Sequence, residues 1–212
     1  MLIQTQAGVP GRQTSGTFPT APGGTFGELL DSKLLPDYYS LVKAGLVYAV
    51  SAAAINPSAF VGGAAGTPIF GIYNPQNSGK DVVLLDLSVA IRTTGTAAVA
   101  TDFNHWAVAQ GTTAVTGTAT AATNMYSLAA TGSAVRAMVN TANTAALASS
   151  LIRPAMSVGL TAATAVTNVQ FLRDEIKGAV VIAPGSYYAF GLSVALTAAS
   201  IDAGLLWAEI PV

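Results

Sequence analysis

IYNPQNSGKDVVLLDLSVAIR, residues 72–92, decides the fold. Its first half, from Asn74-Pro75 to Ser78-Gly79, is turn chemistry, because proline fixes φ and removes a donor while glycine readily takes positive φ. Its second half alternates. Val83, Leu85, Leu87, Val89 and Ile91 are placed toward one side, and Leu84, Asp86, Ser88, Ala90 and Arg92 toward the other. That period of two gives a strand one core face and one wetter face. Outward from it lie LVYAVSAAAI, TPIFGIYN, FNHWAVAQ, AMSVGL, VQFL, GAVVIA, YYAFGLSVAL and LLWAEIPV, separated by Gly, Pro, Asn and Ser clusters. Runs rich in β-branched and aromatic residues with such punctuation read as strands. Nine of them, counting the central one, predict an all-β antiparallel sandwich.

The flanks differ in composition. Residues 1–27 (GVPGRQTSGTFPTAPGGTFG at their core) have Val9, Phe18 and Phe26 as the apolar groups after the first three positions. Such a segment cannot build a core of its own, and it reads as an extended N-terminal arm whose two phenylalanines insert into a neighbour. The domain proper is expected over 28–212. It opens with ELLDSKLLPDYYSLVK (28–43), where apolar residues recur at helical spacing, Lys43 suits a helix C-terminus and Gly45 ends it. One or two short helices follow from that pattern. An Ala/Thr-rich insertion is expected around 93–150, built of short strands and close-packed turns, because it lacks the charge that keeps a disordered chain solvated.

Nine Lys and Arg against ten Asp and Glu make 9% of the 212 residues charged, where about 25% is ordinary. A net charge of −1 offers no excess cation for a phosphate backbone, so no nucleic acid is expected as partner. The absence of cysteine removes disulfides, thiolate metal sites and thiol nucleophiles. The best candidate for a membrane span, the uncharged Gly178–Ile201, is broken by Pro184-Gly185, which suits two strands about a turn and not a membrane-spanning helix. No basic leader precedes an apolar core at the start, so the reading carries no membrane partner and no export signal.

Residues that could do chemistry are few. His105, the single histidine, shares a strand face with Phe103, Ala107 and Ala109 and reads as packed or interfacial. Asp81 and Asp86 fall on opposite faces, and Asp174-Glu175 reads as solvated turn charge before Lys177-Gly178. No Gly-x-Ser-x-Gly elbow or phosphate-loop spacing occurs. The expectation is therefore a protein that is not an enzyme, with no catalytic residue, no cofactor and no metal ligand. A thinly charged exterior needs neighbours to cover it, because ordinary soluble surfaces are heavily charged and obligate interfaces are apolar. Candidate anchors in such an interface are Phe18, Phe26, Trp106, Tyr187 and Trp207.

The phrase 72–92, followed by VVIAPGSYYAFGLSV (180–194) and LLWAEIPV (205–212), resembles small jelly-roll virion proteins of tailed bacteriophages, and more generally tumour-necrosis-factor-like trimers. In those proteins a turn of the Asn-Pro…Ser-Gly-Lys kind leads into a long core strand and a Pro-Gly corner precedes a late one. The resemblance implies a homotrimeric jelly roll, located on the capsid surface of the virion and made in the host cytoplasm. Its partner would be the major capsid protein, which it would decorate and cement by bridging adjacent capsomers. The alternative is a head-fibre or tail component that binds a receptor. No catalytic residue is carried over by the likeness.

Overall fold

The computed structural model describes residues 37–56, 58–60, 67–93, 99–108, 115, 117–130, 132–141, 150–160, 171–195 and 200–212. The chain divides between Tyr39 and Ser40, and the β architecture lies in the second unit. The arm over 1–27, with Phe18 and Phe26, lies outside the described residues, as does most of the expected helical stretch. One helix is described, α1 (Tyr39–Lys43). Gly45, at φ +71°, ends it, with Gly45 N donating to Val42 O and Leu46 N to Leu41 O. These two bonds satisfy terminal carbonyls that a helix leaves open.

The strands are β1 (Val47–Ile55), β2 (Phe70–Tyr73), β3 (Lys80–Thr93), β4 (Val99–Val108), β5 (Thr123–Asn124), β6 (Arg136–Val139), β7 (Ser150–Leu160), β8 (Phe171–Asp174), β9 (Val181–Ile182), β10 (Tyr187–Leu192) and β11 (Ser200–Pro211). They form two antiparallel sheets, β5-β1-β11-β3-β8 with β9 also on β3, and β6-β2-β10-β4-β7. The protein is an all-β sandwich, as the alternation predicts. The pairings are nested: β4 with β7, β3 with β8, β2 with β10 and β1 with β11. The chain thus runs as one long antiparallel ribbon. Pairing of β11 with β3 and of β10 with β4 closes that ribbon into the two sheets.

Between the sheets lies one apolar core, including Phe70, Ile72, Leu84, Leu87, Phe103, Tyr188, Phe190, Ile201 and Trp207. Fully burying side chains of this size contributes about 1.5–3 kcal/mol each, which is why the two faces set the strand register. β3 differs from its simple alternation in one respect. Leu206 pairs with Asp86 and Trp207 with Leu84, so Leu85 is an extra residue in the ladder. The bulge changes the phase: Val82 and Leu84 point inward before it, and Leu87, Val89 and Ile91 after it. Leu85 is buried as well, its carbonyl taking Lys177 N in the turn after β8.

The outer face of the second sheet is covered too. Phe60, Tyr73, Val115, Met138, Tyr187 and Ala189 form a satellite cluster there, with Trp106 against it. Gly191 makes this possible, since a Cβ at that position would meet Phe60 Cβ at 2.7 Å. The stretch 93–150, expected to be an Ala/Thr-rich insertion, is described in part. It supplies β4, a central strand of the second sheet, and then β5 and β6, which extend one edge of each sheet.

Candidate functional site

Four arrangements on this frame carry polar chemistry or present apolar groups to solvent. The first lies at the β7–β8 edge. His105 on β4 and Tyr188 on β10 both face inward and are fully buried, with His105 Nδ1 2.7 Å from Tyr188 Oη. Asp174, last residue of β8, reaches in from the opposite sheet, its Oδ2 2.8 Å from His105 Nε2 but off the axis of a hydrogen bond. Arg153 on β7 donates to both Asp174 oxygens, at 2.8 and 2.6 Å. One polar chain, Tyr188–His105–Asp174–Arg153, therefore ties two strands of one sheet to the edges of both. Asp174 is not the solvated turn charge that its sequence neighbourhood predicts, because the end of β8 turns its side chain into the sandwich.

The electrostatics of this chain follow from burial. Burial pushes the Tyr188 phenol well above its usual value near 10, so it stays protonated. His105 is held below 6.5, chiefly by burial, with the Arg153 charge acting in the same direction and Asp174 opposing both. The imidazole is neutral at pH 7. The consistent arrangement has Tyr188 Oη–H donating to Nδ1, which puts the ring proton on Nε2, on the side of Asp174. A histidine between a hydroxyl and a carboxylate has the components of a nucleophilic triad. Here both rings are sealed in the core, so the arrangement as folded holds two sheets together.

A second arrangement surrounds Glu209 on β11, which is also fully buried. Its carboxylate receives Ser133 Oγ at 2.6 Å, Lys80 Nζ at 2.9 Å, Ala134 N at 3.1 Å and Trp207 Nε1 at 3.4 Å. Both oxygens are used, and the residues 133–135 that lead into β6 are pinned to the last strand. Tyr48 adds to the hold by donating to Gly132 O at 3.0 Å and stacking on Trp207.

Third, the two turn motifs of the sequence meet. Asn74 is fully buried and donates through Nδ2 to Lys80 O and Ile182 O, both at 2.8 Å. Its backbone N donates to Ser186 O, and its carbonyl accepts from Gly185 N. The Asn-Pro corner before β3 and the Pro-Gly corner before β10 are thus one hydrogen-bonded unit.

The fourth is a surface feature. Residues 125–128, directly after β5, form a turn held by Asn124, whose Oδ1 accepts from Tyr126 N and Ser127 N while its Nδ2 donates to Gly45 O. Leu128 takes φ +57°, unusual for a bulky residue. The turn displays Met125, Tyr126 and Leu128, the last two 62% and 73% exposed. Shallow depressions lie nearby on the outer face of the first sheet, lined by small residues such as Ala49, Ser51, Ser88 and Gly204.

Of the five anchor residues read from sequence, Trp106 and Tyr187 come together in the satellite cluster over the second sheet. Trp207 is fully buried in the main core, so its side chain serves the chain's own interior. Tyr126 and Leu128 were not among those readings. They fall in an Ala-rich stretch where only the Asn124 turn turns them outward. No group of three or more potential metal ligands occurs among the described residues, and no described helix is long and apolar enough to cross a membrane. No family model, curated protein or solved structure matches this chain.

Proposed function

We propose that this chain is a jelly-roll structural protein of a tailed-bacteriophage particle, which binds the outside of the capsid and stabilises it by bridging adjacent capsomers. The observation that carries the reading is the nested order of the ribbon. β1, β11, β3 and β8 in one sheet face β2, β10, β4 and β7 in the other, an order that supports the jelly-roll reading. The corners that prompt the resemblance are the elements that the Asn74 side chain joins. Fold alone does not imply function, so the surface bears the rest of the argument. Several of the few charges are paired within the chain: Asp174 with Arg153, Asp86 with Arg173, Glu209 with Lys80, and Arg136 with the carbonyls of Val115 and Gly117. A surface of small neutral residues gains little from water and fits close contact with copies of itself and with a capsid shell.

In this proposal the subunits form a homotrimer located at the capsid surface, and their mechanism is added contact area without turnover. The test is particle binding. Purified full-length protein should run as a trimer in light scattering and co-sediment with particles lacking it, and deletion of residues 1–27 should abolish co-sedimentation. A stable monomer at micromolar concentration, or undiminished binding by the truncated chain, refutes the proposal. The exposed turn at Met125–Leu128 favours a second reading, a head-fibre or tail component whose tip meets a receptor. Under that reading Y126A and L128A reduce adsorption to the host and leave particle stability unchanged.

A further inference from the structure

We propose that His105 is an acid-sensitive latch, which holds β8 against the β4–β7 side of the sandwich while neutral and releases that edge when it takes up a proton. The inference is independent of any role on a particle. It starts from geometry: the one histidine of the chain is fully buried at the place where a polar chain crosses from one sheet to the other. Three titratable or charged groups face it from the elements packed against it: Tyr188 from β10, Asp174 from β8 and Arg153 from β7. The other rings against it, Phe190 and Tyr188, are 5.1 and 5.9 Å away between centroids.

Neutral, the imidazole keeps its one aligned bond. Nδ1 accepts from the Tyr188 hydroxyl, and the charges of Asp174 and Arg153 cancel. Protonated, it cannot. Nδ1 must then donate, so the Tyr188 hydroxyl has to accept and its own proton turns toward the apolar core. The group of Asp174, Arg153 and the fully buried His105 also acquires a net positive charge. Asp174, 2.8 Å from Nε2, opposes that charge but shares its carboxylate with Arg153, which donates to both oxygens. Moving β8 outward relieves both the donor conflict and the buried charge by letting water reach the ring. β8 is the element least able to resist, being four residues long and a sheet edge among the described residues.

The sign follows. A histidine whose folded value lies below 6.5 takes up less proton folded than unfolded. Stability is therefore complete above the unfolded value and is lost as pH falls from there toward the folded one. A single proton changes the opening constant by at most about tenfold per pH unit.

With one histidine, the full-length chain gives one imidazole signal in a carbon–proton NMR titration. That signal should stay neutral to well below pH 6.5, and amide exchange at β8 should accelerate between pH 7.5 and 5.5, ahead of β1 and β11. H105Q, which keeps polar atoms but cannot ionise, should lose this pH dependence in exchange and in urea unfolding. An imidazole that titrates at or above 6.5, or β8 exchange with no more than its intrinsic pH dependence, overturns the proposal. So does an H105Q variant that retains the wild-type acid response. If H105Q does not fold, the titration and exchange of the unaltered chain still decide the matter.

Discussion

Replacing Glu209 by glutamine tests how the 132–135 segment is fastened to the sandwich. The carboxylate is fully buried and takes four donors on two oxygens, from Ser133, Trp207, Lys80 and Ala134. Glutamine keeps the volume but has one acceptor oxygen and an NH2 group. With its oxygen toward Ser133 and Trp207, the amide sets donors against the Lys80 ammonium and the Ala134 N–H. Turned the other way, it leaves Trp207 Nε1 facing an NH2. Removing one partner from a buried ion pair costs about 3–5 kcal/mol. The Lys80 side chain is 27% exposed and regains some water, which lowers the expectation to about 2–3 kcal/mol. For a domain of this size that is a fall of about 4–12 °C in Tm. Urea unfolding followed by tryptophan fluorescence measures it directly, because the Trp207 indole is itself one of the donors. Protease cleavage near Gly132–Val135 should rise in parallel. A variant within about 0.5 kcal/mol of the parent, at unchanged m-value, would refute the assignment of Glu209 as the fastening group.

Other substitutions address the remaining joints. N74A removes both bonds that join the two corners and leaves Lys80 O and Ile182 O without that donor. It should cost about 2–3 kcal/mol in urea unfolding, and a loss under 0.5 kcal/mol would mean the corners hold each other through backbone bonds alone. G191A places a methyl group against Phe60 and should cost about 1–3 kcal/mol by overpacking. The double variant G191A/F60A should show non-additive losses, whereas full additivity would separate the two sites. R153M removes the cation that occupies Asp174. It should raise the pH at which the His105 signal titrates, since Arg153 opposes the imidazolium, and an unchanged or lower midpoint would contradict that electrostatic account.

Much of the fold is legible in the residues. The run 81–92 is a strand, the corners at Asn74-Pro75 and Pro184-Gly185 are turns, and the nine candidate runs each contain or overlap a strand of the structure. Less legible were the short β5 and β6, whose Ala/Thr/Asn-rich surroundings carry no alternation. β7 was underestimated as well. It begins at Ser150 and runs through Pro154, which an edge strand tolerates because only one side of it must pair. The bulge at Leu85 was invisible because local sequence alternates smoothly through it, and the register that creates it is set by β11.

The sites divide along the same line. His105, expected to be packed or interfacial, is fully buried with Phe190 and Tyr188 against its ring. That it also meets Asp174 and Arg153 depends on strands distant in sequence and on the edge at which β7 and β8 come together. The sequence by itself determined that this chain alternates, turns and carries too few charges for an ordinary exterior, because periodicity and composition are local or additive. Only the tertiary structure decided which strands are neighbours, and hence that Asn74 serves two corners, that Glu209 is buried with its donors around it and that Trp207 is core. Those are matters of pairing across the whole chain, and the energy that selects among pairings is burial between two sheets, which no single segment contains.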